Sequence, residues 1–265
     1  MQSYQDQCVI ITGAASGIGY QFALEFARRG ASIGAIDRNE GQLKALSETI
    51  SIQSPTSKCA IASADVADRQ AMQAAIESLI ISLGKPNVVI ASAGIGDENP
   101  VANFCAETFA RQVSINLIGV ANTLEPLIPH FMQQRKGHII ALSSLASYRG
   151  LPNMAGYCAS KAGLSAFMDS LRVELKDYGI ACTTFCPGFI HTNMTSDLDL
   201  PPSEVMSLDY AIGRMMQAID DKQSYLAFPR KNHWLLAFSR MLPTHVGDFL
   251  TMRRMSKLKV TKKNT

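Results

Sequence analysis

No apolar run in this chain approaches the ~20 residues needed to cross a bilayer, and its polar start, Met1 to Gln7, lacks the basic and then apolar regions of a secretory signal. A cytoplasmic location is therefore expected. The six cysteines (Cys8, Cys59, Cys105, Cys158, Cys182, Cys186) include no Cys-x-x-Cys pair and no histidine at ligand spacing. They read as reduced core thiols, and no metal site is expected. Internal repeats and low-complexity linkers are also missing, and charged residues make up only 18 % against 47 % hydrophobic. A disordered, fibrous or repeat protein is thereby excluded, and 265 residues suit one large globular domain.

The acids are unevenly spread. From Pro229 onward nine Lys or Arg (Arg230, Lys231, Arg240, Arg253, Arg254, Lys257, Lys259, Lys262, Lys263) face a single acid, Asp248, an excess of +8. Because the whole chain is +3, the first 228 residues carry −5. The reading is a body, 1–228, followed by a basic extension, 229–265. Trp234, Leu235, Leu236, Phe238, Met241 and Leu242 lie in that extension, ahead of the cluster that begins at Arg253. Such apolar residues suit packing on the body or on a dimer partner; beside so many cations they also suit a helix lying on an anionic membrane. The extension lacks the spaced aromatics of a base-stacking surface, so no nucleic-acid partner is expected.

What is present is a rhythm of short β-rich runs and longer amphipathic stretches. The runs are Cys8 to Thr12, Ala31 to Asp37, Lys58 to Ala62, Asn87 to Ala91, Gly137 to Ser143 and Ile180 to Cys186, with a short strand at Tyr225 to Phe228. Val9-Ile10-Ile11, Val88-Val89-Ile90 and Ile139-Ile140-Ala141-Leu142 are apolar without alternation, as in central parallel strands covered on both faces. A doubly wound α/β sheet, the Rossmann arrangement, follows. Beyond residue 192 a polar loop from Thr195 to Pro202 and a helix over Glu204 to Asp220 are predicted.

The first run ends in Thr12-Gly13-Ala14-Ala15-Ser16-Gly17-Ile18-Gly19 and leads into a helix. Glycines there let the backbone turn tightly and approach a diphosphate, which the free N–H groups and the helix dipole stabilise. The second run ends in Asp37, where an acid accepts hydrogen bonds from an adenosine ribose. Together the two point to dinucleotide binding.

The spacing Gly13-x-x-x-Gly17-x-Gly19 resembles the classical short-chain dehydrogenase family, and further likeness runs to about residue 195. Asp65-Val66 is similar to the family's adenine-contacting pair. Ala91-Ser92-Ala93-Gly94 is similar to its Asn-Asn-Ala-Gly motif, with both asparagines replaced. Asn116 matches the helix asparagine that helps hold a water in the family's proton relay. In Pro187-Gly188-Phe189-Ile190-His191-Thr192, the resemblance implies that the Ile190 backbone and the Thr192 hydroxyl hold a nicotinamide carboxamide. His191, with no partner nucleophile or carboxylate, reads as an ordinary loop histidine.

The most specific signal is Ser144 followed thirteen positions later by Tyr157 in Tyr157-Cys158-Ala159-Ser160-Lys161. Tyrosine and lysine four apart share a helical face. A neighbouring ammonium stabilises a phenolate, so Lys161 is expected to tune Tyr157 for acid–base work while Ser144 orients the substrate oxygen. The implied activity is hydride transfer between NAD(P)(H) and an alcohol or carbonyl. Asp37 favours NAD by repelling a 2′-phosphate, although Arg38 occupies a position where NADP users place an arginine. Tyr148, Leu151, Pro152, Met154, Phe189 and Met194, with Arg149, are expected around a hydrophobic substrate. The family's usual C-terminal tetramer motif is absent; the likeness is to longer-tailed members, and a homodimer through the helices of Asn116 and Tyr157 is expected. The alternatives are a dinucleotide sensor without turnover and a membrane-peripheral, NADP-dependent reductase of lipid-like carbonyls.

Overall fold

A computed structural model describes residues 2–196 and 198–258. Its strands form one parallel sheet: β1 (Cys8–Thr12), β2 (Ser32–Asp37), β3 (Cys59–Ser63), β4 (Val88–Ala91), β5 (Gly137–Leu142), β6 (Ile180–Pro187) and β7 (Tyr225–Phe228), in the order β3-β2-β1-β4-β5-β6-β7. Every residue of β1 and β4 is buried, which is why these strands read as unbroken apolar runs. The strand order reverses between β1 and β4, and the carboxyl ends of strands at such a switch point bound a natural ligand crevice.

The crossovers are α1 (Gly17–Arg28), α2 (Glu40–Gln53), α3 (Arg69–Leu83), α4 (Ala106–Val113), α5 (Gly119–Leu124), α6 (Ile128–Gln134), α7 (Ala155–Leu175) and α8 (Leu208–Asp220). A π turn, Ser114–Ile118, joins α4 to α5. Alternate strand residues feed two cores. Val9, Ile11 and Ile33 pack with Phe22 and Phe26 of α1 on one face, while Ile10, Val89 and Ile139 pack with Met72, Ile76 and Leu164 on the other. Side chains cap three helices and place their starts: Asn39 accepts from Gln42 N, Asp68 from Gln70 N and Ala71 N, and Ser207 from Tyr210 N. The Ser207 cap delays α8 beyond the predicted Glu204, because Met206 is occupied in a backbone pairing with Phe189 and His191.

The extension forms α9 (Arg230–Ser239) and α10 (Thr244–Leu258). Of the six apolar residues singled out there, Leu236 and Leu242 are partly covered by the fold and the other four are not. Trp234, Leu235, Phe238 and Met241 are exposed, because α9 meets the body through its other side, where Ser239 is buried. Lys259, Lys262 and Lys263 lie outside the described residues.

Candidate active site

The glycine turn sits at the end of β1. Gly13 has φ +67°, and a Cβ there would stand 2.8 Å from the Ala93 backbone, so only glycine lets the ends of β1 and β4 approach so closely. Ser92 donates its hydroxyl to Thr12 O, tying the same two strand ends together in place of the missing asparagines. Ser16 caps α1 without a side-chain hydrogen bond. The first-turn N–H groups of Gly17, Ile18 and Gly19 have no intrahelical acceptor, as at any helix start. Gly17, at φ +55°, meets nothing closer than the Thr192 methyl, 3.8 Å from the position of an added Cβ. The helix start and Thr192 therefore face each other across the end of the sheet at contact distance.

Asp37 ends β2 half-buried, its carboxylate accepting from Ala15 N (3.2 Å) and Asn39 N (3.0 Å). Arg38 beside it is exposed. Asp65 is exposed and accepts from Ala67 N at 2.9 Å, while Val66 is buried with its carbonyl held by Asn122 Nδ2 at 2.9 Å. Asn122 was not foreseen; an asparagine inside a helix carries a propensity cost that signals a tie elsewhere.

The proton-handling groups meet at the ends of β4 and β5. Asn116 occupies the π turn and is fully buried. It accepts from Ile95 N (2.8 Å) and donates to Ile95 O (2.9 Å) and to Ser160 Oγ (3.0 Å). Ser160 in turn donates to Tyr157 O at 2.8 Å, a link the sequence reading missed. A Cβ on Gly94 would lie 3.1 Å from Asn116 Oδ1 and 3.4 Å from Lys161 Nζ, so this glycine keeps the two groups close. Lys161 is buried, with Nζ donating to Leu142 O at 2.7 Å and lying 5.8 Å from the centre of the Tyr157 ring. Desolvation pulls its pKa down from 10.5 to about 8.

Tyr157 projects from the first turns of α7, with its hydroxyl close enough to Ser144 for that side chain to act on its pKa. Burial raises its pKa, with Ser144 acting in the opposite direction. The direct lowering by Lys161 expected from the four-residue spacing is not the main effect here: burial weakens the ammonium itself, and Nζ bonds a carbonyl. Ser144 also accepts from Ala146 N at 3.1 Å, which aims its side chain from the turn after β5.

The loop after β6 closes the other side. Ile190 is buried and bridges to Met206, and Thr192 is half-buried. Thr195, unforeseen, donates to Ile190 O (2.6 Å) and accepts from Thr192 N (3.1 Å), folding the loop on itself. Its spacing of three from Thr192 was the available signal. His191 is exposed.

The residues expected around a substrate are partly engaged by the extension. Arg149 donates to Ser239 O (3.2 Å) and to Asp248 (2.6 Å), so its charge is paired with the arm rather than free in the cleft. Tyr148 packs edge-on to His233 and hydrogen-bonds Tyr225. A cavity of about 190 Å³ lies among Glu98, Pro152, Met154, Met252 and Met255, joining the loop before α7 to α10. An open groove of about 730 Å³ between α1 and α8 holds none of the proton-handling groups.

The short chain dehydrogenase family model matches residues 7–202. An uncharacterized oxidoreductase of Myxococcus xanthus is 33 % identical over 92 % of this chain and 96 % of its own length. A probable oxidoreductase, EphD, of Mycobacterium bovis is 35 % identical over 80 % of the chain, which spans only 36 % of that protein. Two solved structures share the fold: NAD+-bound xylitol dehydrogenase (TM-score 0.78, 21 % identity, 86 % of this chain and 99 % of the other) and an alcohol dehydrogenase of Thermococcus sibiricus with 5-hydroxy-NADP (TM-score 0.76, 22 %, 84 % and 95 %).

Proposed function

The chain belongs to the short-chain dehydrogenase family of NAD(P)-binding oxidoreductases, and from that premise we propose that it interconverts an apolar alcohol and its carbonyl, with NAD(H) preferred. The observation that carries this reading is the meeting of Ser144, Tyr157, Lys161 and Asn116 beside the glycine turn, at the switch point of the sheet.

The residues fit a dinucleotide. Gly13 permits a close backbone approach, the start of α1 offers N–H donors through Ser16, Gly17, Ile18 and Gly19, and Asp37 keeps its carboxylate at the end of β2. Asp65 and Val66 would border the adenine; Gly94, Pro187, Ile190 and Thr192 would border the nicotinamide. When bound, that ring supplies or accepts the hydride.

The chain's own groups handle the proton. In reduction, Tyr157 gives its phenolic proton to the carbonyl oxygen; in oxidation, it takes the proton back from the alcohol. Ser144, close to the Tyr157 hydroxyl and aimed by its bond from Ala146 N, donates a hydrogen bond to the same substrate oxygen and stabilises its developing charge. Lys161, buried with Nζ 5.8 Å from the centre of the phenol ring, is placed to stabilise the phenolate once Tyr157 has given up its proton. Asn116 positions Ile95, and through it the Gly94 strand end, against Lys161.

NAD is favoured over NADP because the Asp37 carboxylate, fixed by two N–H groups, is poorly placed to tolerate a 2′-phosphate. Arg38 is exposed beside it and is the residue that would offset the repulsion. The apolar substrate is supported by Met194, whose sulfur and the Tyr157 ring flank Gly96, and by Pro152, Met154, Met252 and Met255, which line the cavity together with the polar Glu98, Asn153 and Ser256. A homodimer through the helical segment holding Asn116 and through α7 is supported by the exposure of Ile118, in the π turn, and of Val173, in α7. The test is an absorbance screen at the reduced-nicotinamide band, crossing both cofactors with hydroxysteroids, retinoids, medium-chain alcohols, sugars and 3-oxoacyl thioesters. Turnover on an apolar panel supports the reading. NADH binding without turnover on any panel would favour a dinucleotide sensor instead.

A further inference from the structure

Seven of the sixteen large apolar side chains exposed among the described residues fall between Trp234 and Met252, a concentration that scattered surface residues do not produce. Along α9 and the turn after it, Trp234, Phe238 and Met241 recur at spacings of four and three and are 67, 60 and 82 % exposed, with Leu235 beside them. On α10, Phe249 and Leu250 are exposed as well, and so is Met252, which also borders the cavity beside Pro152 and Met154. These helices are fastened to the body. Arg149 binds Asp248, the Tyr148 ring packs on His233, and Arg254 reaches Glu204 at 3.4 Å. The apolar side chains are therefore held outward by ordered contacts.

Their surroundings are cationic. Arg230, Lys231, Arg240 and Arg253 are exposed, and the one acid of the arm, Asp248, is paired with Arg149. We propose that this surface docks on an anionic lipid bilayer, with the α9 face at the headgroup–acyl boundary and the cations among the headgroups. Charge argues for this occupant over a second copy, since two arms each carrying +8 would meet like with like. A nucleic-acid backbone would satisfy the cations but offer no apolar phase to Trp234, Phe238 or Met241. A bilayer offers both.

Trp234 is the single tryptophan of the chain, so its emission reports this surface alone. The full chain is titrated with vesicles of phosphatidylcholine containing phosphatidylglycerol, and with vesicles of phosphatidylcholine only. A blue shift on the anionic vesicles, reversed by high salt and weak or absent on the neutral ones, is expected. Phe238→Ser with Met241→Ser should weaken partitioning by at least about tenfold, and Arg230→Gln with Lys231→Gln by about tenfold. Both pairs are exposed, so the melting temperature should stay at the wild-type value, which separates lost docking from lost folding. No shift with anionic vesicles overturns the proposal, as does equal partitioning into neutral ones. A blue shift that grows with protein concentration in the absence of vesicles would assign the surface to a second copy and also overturn it.

Discussion

Replacing Asn116 tests how the site is held together. The side chain is fully buried and makes three hydrogen bonds, two to the Ile95 backbone and one to Ser160 Oγ. Asn116→Ala strands the Ile95 N–H and C=O without that partner and leaves the space of the lost amide. At about 1 kcal/mol for each bond, with a further cost for the cavity, the loss is about 3 to 5 kcal/mol. For a chain of this size that is a fall in Tm on the order of 10 °C, read by circular dichroism. Asn116→Asp is the sharper variant because it keeps the shape and the Oδ1 acceptor. It turns the donor that faces Ile95 O at 2.9 Å into an oxygen. An ionised carboxylate there is repelled by the carbonyl, so its folded pKa must rise above the unfolded ~3.9. The destabilisation is then full at neutral pH and is relieved as pH falls through the raised pKa, because the folded state binds the extra proton. If Asn116→Ala melts with the wild type, or if Asn116→Asp shows no relief on acidification relative to the wild type, Asn116 is not the clamp described here.

Asp37→Asn removes the charge and keeps one acceptor, and should move the ratio of NAD to NADP affinity by about 10- to 100-fold toward NADP; calorimetric titration of both cofactors reads it, and an unchanged ratio contradicts the assigned preference. His138 is buried on β5 beside Thr183 Oγ1, and desolvation pulls its pKa from 6.5 down to about 4. Neutral histidine is the form that folds, so its contribution is complete above pH 6.5 and is lost as pH falls through 4, up to about 3 kcal/mol. Urea unfolding from pH 7 to 4 should show a shallower decline for His138→Gln than for the wild type, and parallel declines would refute the assignment.

Strand positions were legible because burial on both faces leaves unbroken apolar runs such as Val9-Ile10-Ile11, and all six β-rich runs, together with the short Tyr225 strand, appear within a residue of the observed ends. Gly13 and Gly94 were legible as glycines, but the reasons they must be glycine, the Ala93 backbone and the Asn116 and Lys161 side chains, come from chain segments distant in sequence. The Tyr157–Lys161 spacing gave their shared helical face correctly. It did not reveal that Lys161 spends a hydrogen bond on Leu142 O, because that acceptor is a backbone atom with no residue-type signature. Thr195, Ser160 and Asn122 escaped notice for the same reason: each acts mainly on main-chain groups. The extension was ambiguous because its apolar residues are equally compatible with any apolar partner, and only the side on which α9 meets the body leaves Trp234 and Phe238 uncovered.

The central claim is that Tyr157 moves the proton, and the direct measurement is turnover of Tyr157→Phe on a substrate identified by the absorbance screen, with cofactor affinity measured alongside. The substitution removes the phenolic proton and leaves the glycine turn and Asp37 in place. Turnover should fall by roughly 10²- to 10⁴-fold while the cofactor Kd stays within a few-fold of the wild type. Near-normal turnover by Tyr157→Phe would contradict the account.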